Sequence, residues 1–340
     1  DMDEPYHVYG GLQDNGVWKG PNSYTYSRSW LSEGKYPYER LMGGDGMQIQ
    51  IDNRNPSKII TGYQFGNYYR LDLDKKKRTS IKPKHKLGEA PLRFNWQTPI
   101  LLSPHNQDIL YLGSNKLHRS FNQGDQWETI SNDLTKDSLK GNVPFGTISC
   151  LSESPLKFGV IVTGSDDGLI HLTKDSGVSW KKISNALPKD LWVSKVIASK
   201  HKISRIYACL NGYRWDHFES YIFVSDDYGK TWKKITNGIN KEHFTRVLRA
   251  DPTREGLLYA GTETGMYISF DDGASWNPFQ LNLPIVPVTD LTIKENSLIV
   301  ATQGRSIWML DDLTVLHQLN SETSNAPMTL FKPKARYRTQ

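Results

Sequence analysis

Two aspartates in glycine-rich segments have the clearest chemical potential in this sequence. Asp14 begins an Asp-Asn-Gly turn, and Asp45 lies in the run Gly43–Gly46, where glycines would let a ligand approach the backbone. Glycoside hydrolysis uses two carboxyl groups about 5–9 Å apart that flank the bond to be cleaved. Asp14 and Asp45 are therefore the catalytic candidates if the protein is a hydrolase.

A second group of residues could bind a ligand without cleaving it. The segment from Gly212 to Glu219 is rich in aromatic and charged residues, among them Trp215 and His217. An aromatic loop beside carboxylates suits a sugar or a peptide, because rings offer apolar faces with polar edges. The ligand-binding candidates are Asn15, Arg93, Asn95, Trp96, Asp166, Arg214, Trp215, Glu263, Gln303 and Arg305.

Several candidates also have a purely structural interpretation. Asp14 and Asp166 could simply shape their hairpins, since aspartate stabilises tight turns beside glycine. Trp96 could be part of the core, Arg305 could pair with a buried acid, and Trp215 could fold back onto its own repeat. The sequence leaves these alternatives open.

Other chemistries lack their motifs. The sequence has no His-Glu-x-x-His zinc motif, no Gly-x-x-x-x-Gly-Lys-Ser/Thr phosphate loop and no Gly-x-Ser-x-Gly nucleophile elbow. The nine histidines are scattered, so we predict no metal site and no cofactor. Arg93, Arg214 and Arg305 could supply the arginine cluster of a sialidase, but the Arg-Ile-Pro motif of such enzymes is missing.

The elements that must position these residues are repeated. Ser or Thr, Asp or Asn, Gly and Trp recur at fixed offsets in four segments, which end at Trp127, Trp180, Trp232 and Trp276. In each segment the acid can bond backbone N–H groups two residues on, the glycine supplies a positive φ, and the tryptophan anchors the hairpin between sheets. This pattern is the Asp-box, and we interpret Asp175, Asp227 and Asp271 as structural.

The spacing of the repeats, near 50 residues, predicts a β-propeller with four-stranded blades. We expect an all-β, seven-bladed propeller over residues 1–320 and a C-terminal tail over 321–340. The expected blades are 1–41, 42–89, 90–140, 141–187, 188–238, 239–284 and 285–320. Asp1 aligns with Asp251, just after an innermost strand, so the first blade lacks that strand. Upstream sequence, a partner chain or the tail at 328–331 could supply it.

Propeller geometry then sorts the residues by face. Turns between the third and fourth strands, which hold the Asp-boxes, lie on one face. Hairpins between the second and third strands and the connections between blades lie on the other, around the channel mouth. We expect the candidate residues on this channel face, because loops on a rigid scaffold commonly bind ligands.

Composition limits the remaining possibilities. The net charge of +6 is modest, and the basic stretch from Lys75 to Lys86 is expected to be a solvated turn. Nucleic-acid binding would need a basic stripe with stacking aromatics on one face, so we predict no nucleic-acid partner. Cys150 and Cys209 fall on different predicted strands and are expected to be free, buried thiols. No stretch is apolar enough for a transmembrane helix.

Several motifs resemble one protein family. They include His7-Val-Tyr-Gly-Gly-Leu-Gln-Asp-Asn-Gly16, Arg93-Phe-Asn-Trp96, Leu102-Ser-Pro-His105 and Gly304-Arg305-Ser306 with Trp308. They are similar to large secreted proteins of Bacteroidetes-type bacteria, often called sortilin-like or glycosyl hydrolases with neuraminidase (BNR) repeats. The resemblance implies an extracellular or cell-envelope location and a two-propeller parent whose upstream portion is a partner. Gln303 stands where that family commonly has histidine.

These observations favour a binding module over an enzyme. We expect a secreted or cell-surface propeller that binds a glycan or a polypeptide on its channel face. The alternative is a glycoside hydrolase of the two-propeller xyloglucanase kind, which would use Asp14 and Asp45.

Overall fold

The computed structural model describes residues 1–24, 27–136 and 144–334. It has an all-β fold with seven antiparallel sheets and only short helices, and it confirms the predicted seven-bladed β-propeller. The chain divides into two compact units. Unit 1 contains residues 1–198, 203–207 and 225–232, and unit 2 contains 199–202, 208–224 and 233–340. The predicted limits of the propeller and its tail stay a prediction; the expected boundary at 140/141 and residues 335–340 lie outside the described residues.

The first four sheets follow one another along the chain, and in each the neighbouring strands are consecutive in sequence. The first has three strands, His7–Leu12 (β1), Gly16–Pro21 (β2) and Glu39–Met42 (β3). The second has Ile49–Ile51 (β4), Lys58–Tyr63 (β5), Asn67–Asp72 (β6) and Lys77–Ser80 (β7). The third has Ile100–Leu102 (β8), Leu110–Gly113 (β9), Leu117–Ser120 (β10) and Glu128–Thr129 (β11). The fourth has Ile148–Glu153 (β12), Ile161–Ser165 (β13), Ile170–Thr173 (β14) and Lys181–Lys182 (β15).

The remaining three sheets keep the same order of strands. The fifth has Trp192–Ala198 (β16), Ile206–Gly212 (β17), His217–Ser225 (β18) and Lys233–Lys234 (β19). The sixth has Thr245–Ala250 (β20), Leu258–Thr262 (β21), Gly265–Ser269 (β22) and Asn277–Pro278 (β23). The seventh has Val288–Lys294 (β24), Ser297–Thr302 (β25) and Ile307–Leu310 (β26). The short helices are Ser29–Glu33 (α1), Thr314–Gln318 (α2) and Ser321–Asn325 (α3), with a 3₁₀ turn at Tyr213–Trp215.

The core lies along the second strand of each sheet. Every residue of β9, β13 and β21 is buried, because other side chains cover both faces of these strands. The outermost strands β11, β15 and β23 are two residues long and exposed. In these sheets burial is therefore greatest at the second strand and least at the outermost one, and the loops are held by a rigid interior.

The four repeated turns are closed by their own side chains. In the fourth sheet, Thr173 Oγ1 donates to Asp175 Oδ1 (2.7 Å) and accepts from Gly177 N (3.0 Å). Asp175 Oδ1 accepts from Ser179 N at 2.9 Å, and Oδ2 accepts from Ser179 Oγ at 2.5 Å. The acid thus bonds the N–H four residues on, not two as expected, because the N–H two residues on, that of Gly177, already donates to the Thr173 hydroxyl. Equivalent bonds form at Asn122, Asp227 and Asp271.

Each of these turns is tied to the preceding sheet through its tryptophan. The indole Nε1 donates, at 2.7–2.8 Å, to the carbonyl of the isoleucine that follows the preceding sheet's outermost strand. The four pairs are Trp127–Ile81, Trp180–Ile130, Trp232–Ile183 and Trp276–Ile235. The glycine of the turn packs on the same isoleucine: a Cβ added to Gly273 would lie 2.5 Å from Ile235 Cδ1. One recurring geometry therefore serves both the turn and the packing of neighbouring sheets.

The first sheet lacks the innermost strand, as predicted. Tyr9 Oη donates to Asp1 Oδ2 at 2.7 Å, and Tyr259 Oη donates to Asp251 Oδ2 at 3.2 Å. The shared contact supports the predicted alignment of Asp1 with Asp251. The tail does not supply the missing strand, since residues 328–331 are not in a strand and Leu330 is exposed.

Both cysteines are free and buried, which confirms the sequence prediction. Burial raises the pKa of the Cys150 thiol to about 11, so it stays protonated at neutral pH. None of the helices among the described residues is long and apolar enough to cross a membrane.

Candidate functional site

One exposed group of predicted candidates in unit 2 lies in the loop between β17 and β18. It begins with the 3₁₀ turn Tyr213–Trp215, and Asp216 ends that turn in the left-handed region with φ 54°. Asp216 N donates to Tyr213 O at 3.3 Å. The turn leaves Trp215 41% exposed and Phe218 46% exposed. Trp215 therefore keeps a substantial part of its side chain accessible to solvent.

The base of this loop is a stack of rings. Tyr213 lies parallel to Phe244, with ring centroids 4.9 Å apart and an interplanar angle of 10°. The guanidinium of Arg246 lies 5.2 Å from the Tyr213 ring centroid and 5.1 Å from that of Phe244. Cation–π and stacking contacts hold these groups in one arrangement. We call Tyr213, Trp215, Phe218, Phe244 and Arg246 the aromatic platform.

Two other predicted residues join the platform. Arg246 Nε donates to Glu263 Oε2 at 2.5 Å, and the Arg214 guanidinium lies 4.6 Å from the Tyr213 ring centroid. Arg214 thus contacts the Tyr213 ring directly and Glu263 reaches it through Arg246, while Trp215 lies in the same 3₁₀ turn as Tyr213. Arg246 and Phe244, which complete these contacts, were not among the predicted residues. Their position at the start of β20, opposite the hairpin with Glu263, was the available signal.

A network of polar side chains lies beside the platform, on strand β18 and the neighbouring strand β19. Tyr221 Oη donates to Glu219 Oε2 and contacts His217 Nε2, both at 2.9 Å, and Lys234 Nζ pairs with Glu219. Burial, followed by the hydrogen bond to Glu219, raises the pKa of Tyr221 to about 12. The phenol therefore keeps its proton at neutral pH and is a hydrogen-bonding group, unlike the activated tyrosine that a sialidase requires.

Asp14 and Asp45 are neighbours in unit 1. Asp45 is buried, and its Oδ1 accepts from the backbone N–H of Asp14 at 2.9 Å. Asp14 has φ 62° at the tip of the β1–β2 hairpin and an exposed side chain. A Cβ added to Gly46 would lie 2.2 Å from Gly16 O. The glycines beside Asp45 therefore let this segment pack closely on the β1–β2 hairpin. The Asp45 carboxylate holds that hairpin in place through the N–H of Asp14.

Strand β2 of this hairpin carries a tryptophan whose indole bonds a backbone carbonyl of the hairpin turn. Trp18 Nε1 donates to Asn15 O at 2.7 Å, and Asn15 Nδ2 donates to Gln13 O at 3.2 Å. Asn15 is exposed. The same contact recurs in the seventh sheet, where Trp308 Nε1 donates to Arg305 O at 2.8 Å.

Asp166 is fully buried in a saturated network. Oδ1 accepts from Gly146 N (3.0 Å) and Thr147 N (2.8 Å). Oδ2 accepts from Thr147 Oγ1 (2.5 Å) and Asn95 Nδ2 (3.3 Å). Burial raises the pKa of Asp166 to about 6. Asn95 and Asp166 are thus brought together, and the Asp166 carboxylate joins loops of unit 1; its hydrogen bonds go to residues outside its own hairpin, which is a structural role different from the turn-shaping alternative.

Arg93 is occupied by internal partners. Its Nε donates to Gly146 O at 3.1 Å, and its Nη2 donates to Asp133 Oδ2 at 2.7 Å and to Thr135 Oγ1 at 3.0 Å. A ligand would have to displace these bonds. Trp96 is half-exposed and lies edge-on to Phe65 at 5.1 Å, so it is not a buried core residue.

Gln303 and Arg305 are both exposed on the β25–β26 hairpin. Gln303 N donates to Pro287 O at 2.9 Å, and Arg305 Nη1 donates to Gly304 O at 3.1 Å. Among the residues that the structure describes, Arg305 forms no ion pair with a buried acid, which was its structural alternative. Both side chains remain accessible to a ligand.

A second exposed aromatic surface lies on the first sheet and was missed. Tyr36 (56% exposed) and Tyr38 (38% exposed) have ring centroids 5.4 Å apart, and Trp30 lies 5.3 Å from Tyr36. The remaining rings of this first-sheet cluster are Trp18 and Tyr24. The density of Trp and Tyr between residues 18 and 38 was the available sequence signal.

One group of side chains could hold a metal ion. Potential ligand atoms of Asp1, Asp3 and His7 lie within 4.8 Å of one another. However, Asp1 already accepts bonds from His7 N (2.9 Å) and Tyr9 Oη (2.7 Å). These contacts explain the cluster as part of the inner edge of the first sheet.

Comparisons with known proteins support the fold. The sequence matches no protein-family model and no curated protein. Among solved structures it is similar to the GH74 xyloglucanase from Xanthomonas campestris, with 15% identity and a TM-score of 0.61 over 90% of this chain. The chain spans 50% of that enzyme's length.

Two further structures are similar. One is YCF48 bound to a D1 peptide, with 12% identity and a TM-score of 0.58 over 91% of this chain and 90% of that one. The other is an extracellular domain from B. thetaiotaomicron, with 15% identity and a TM-score of 0.56 over 91% of this chain and 39% of that one. At these identities the likeness shows the propeller fold alone.

Proposed function

We propose that this chain is a secreted or cell-surface propeller module that binds a glycan or a polypeptide on the aromatic platform. The observation that carries the proposal is the exposure of Trp215 and Phe218, 41% and 46%, in a loop whose base is the stack of Tyr213 on Phe244. Clustered exposed rings typically mark binding surfaces. Because the base of the loop is held by stacking, little conformational entropy is lost when a ligand binds.

The structural neighbours support both ligand classes. One is a xyloglucanase, which acts on a glycan, and another is a propeller bound to a peptide. We further propose that the chain works as part of a larger, two-propeller protein of the sortilin-like, BNR-repeat kind, outside the cell or in the bacterial envelope. The motif resemblance described above and the extracellular domain among the neighbours support this.

The test is a binding screen of neutral oligosaccharides and of peptides with the protein and two variants. Trp215→Ala/Phe218→Ala removes the exposed rings, and we expect its affinity to fall at least about tenfold, or 1.4 kcal/mol. Phe121→Ala is the matched control, since Phe121 is a similarly exposed ring (54%) on a repeated turn of the third sheet. Equal affinity in all three proteins would contradict the proposed surface.

Glycoside hydrolysis is the second candidate function. It rests on the hydrogen bond from Asp14 N to Asp45 Oδ1, which makes these two acidic residues neighbours. Asp14→Asn and Asp45→Asn keep side-chain size, so loss of cleavage in both, with retained cleavage in Asp125→Asn, would assign the two acids. Binding without cleavage by the unaltered protein would leave the binding module as the function.

A further inference from the structure

A concavity of about 150 Å³ lies on the second sheet, away from the aromatic platform. Its six lining residues all have polar or charged side chains: Lys58, Arg70, Asp72, Lys75, Lys77 and Thr79. Four of these six side chains are cations, and one is an anion. The basic stretch that begins at Lys75 was expected to be a solvated turn, and a solvated turn does not account for a concave, cation-lined surface.

Strand register places these side chains on one face. Asp72 of β6 lies directly opposite Lys58 of β5 and Lys77 of β7. Two residues further along, Arg70 lies opposite Thr79. Directly opposed residues share a face of a sheet, and so do residues two apart on a strand. The lining therefore consists of two rows of side chains on rigid strands. One row is Lys58, Asp72 and Lys77, and the other is Arg70 and Thr79; Lys75 is added from the β6–β7 turn.

Two of the four cations, Lys58 and Arg70, are ion-paired with aspartates of the protein. Asp72 pairs with Lys58 Nζ and also accepts from Lys75 N at 3.1 Å. These hydrogen bonds, the one from Lys58 first, lower the pKa of Asp72, so it stays ionised at neutral pH. Arg70 Nη2 donates to Asp125 Oδ1 at 2.7 Å. The ammonium groups of Lys75 and Lys77 form no ion pair with any of the described residues, and they remain as surplus positive charge.

The paired cations also give the concavity a fixed frame. Arg70 Nη1 donates to the carbonyl oxygens of Asn122 and Gln123, each at 3.1 Å, in the repeated turn of the third sheet. This triple anchoring holds the guanidinium at one wall. A concave surface with an excess of positive charge focuses the field and attracts anions.

We infer that this concavity binds an oxyanion group, a sulfate or a carboxylate, between the ammonium groups of Lys75 and Lys77 and the hydroxyl of Thr79. The group could be a free anion or a substituent of an acidic polysaccharide. The volume suits one small anionic group rather than a whole sugar chain. The lining contains no aromatic ring, which argues against stacked nucleic-acid bases.

The experiment measures binding of the protein to sodium sulfate, to dextran sulfate and to unsulfated dextran, over a range of salt concentrations. Lys75→Gln/Lys77→Gln should weaken dextran sulfate binding about tenfold and lower the slope of log K against log salt by about one unit per lysine. Binding of free sulfate as well would assign the site to the anion itself. Binding of the polymer alone would assign it to a polymer-borne group.

The matched control is Lys181→Gln/Lys182→Gln, which removes two exposed lysines from β15, the corresponding outer strand of the fourth sheet. We expect dextran sulfate affinity to change less than about twofold there. An equal loss of dextran sulfate affinity in both double variants would show that only overall charge matters and would overturn the inference. The inference would also be overturned if the protein did not bind dextran sulfate, or if it bound duplex DNA equally tightly at matched charge.

Discussion

Trp276 Nε1 donates a hydrogen bond of 2.7 Å to the carbonyl oxygen of Ile235, which follows the outermost strand of the preceding sheet. Trp276 is buried, whereas Trp127, which makes the same contact with Ile81, is partly exposed. The same type of Trp–Ile pair therefore forms the same hydrogen bond at both places, but the tryptophan ring is more deeply buried at Trp276 than at Trp127.

This difference predicts unequal costs of truncation. Trp276→Ala should lower the free energy of unfolding by about 3–5 kcal/mol, the range for removal of a buried aromatic side chain. Trp127→Ala should cost less, because part of its ring already contacts water. Urea unfolding followed by circular dichroism measures both, and equal costs would show that the hydrogen bond dominates.

Gly273 tests the close approach between sheets. Gly273→Ala places a methyl group at φ +83° and 2.5 Å from Ile235 Cδ1. Gly88 has φ +88° with no atom within 4 Å of an added Cβ, so Gly88→Ala carries the backbone strain alone. We expect the Gly273 variant to be less stable than the Gly88 variant by about 1–3 kcal/mol, the usual cost of overpacking. Equal melting temperatures would contradict the packing role.

The carboxylates of the repeated turns predict that the free energy of unfolding falls at acid pH. The hydrogen bonds from Thr231, that from its backbone N–H first, lower the pKa of Asp227 from 3.8 to about 2. A lowered pKa in the folded state adds stability above pH 3.8, which is lost as the pH falls towards 2. Asp227→Asn, which copies the natural Asn122, should therefore be less stable than the unaltered protein at pH 7 and equal to it near pH 2. A constant difference between pH 7 and pH 2 would contradict this assignment.

Asp166 predicts the opposite dependence on pH. Burial raises the pKa of Asp166 from 3.8 to about 6, so the folded carboxyl keeps its proton where the unfolded one has lost it. Its contribution to the free energy of unfolding therefore falls as the pH rises from about 4 to 6. Asp166→Ala should remove this slope and cost about 1–3 kcal/mol, since buried N–H groups of Gly146 and Thr147 lose their acceptor. Asp125→Ala, which breaks an exposed pair, should cost under about 1 kcal/mol.

The first-sheet cluster gives a test of where the ligand binds. Tyr36→Ala removes its most exposed ring and should leave affinity for the ligand unchanged, while Trp215→Ala lowers it. Titration of one ligand into both variants gives the comparison. Loss of affinity in the Tyr36 variant alone would move the binding surface to the first-sheet cluster.

Local spacing was enough to predict the repeated turns. The bonds that close them join residues two to four positions apart, such as Asp175 and Ser179, so residue types at fixed offsets encode them directly. The same reasoning predicted the seven sheets and the missing inner strand, because strand alternation and turn residues are also local. The richness of the loop around Trp215 in aromatic residues was also visible in the sequence, but its exposure was left open.

Only the tertiary structure decided what the candidate side chains contact. The partners of Arg93 lie 40 to 53 positions away, and Asp166 meets Asn95 across 71 positions. Such contacts depend on how sheets pack, which residue spacing does not specify. The same holds for Asp45, which is bonded to the hairpin of Asp14, and for the surplus charge of Lys75 and Lys77. The sequence by itself thus determined the repeat and its turns, whereas packing between distant segments decided which polar groups are satisfied internally and which remain available to a ligand.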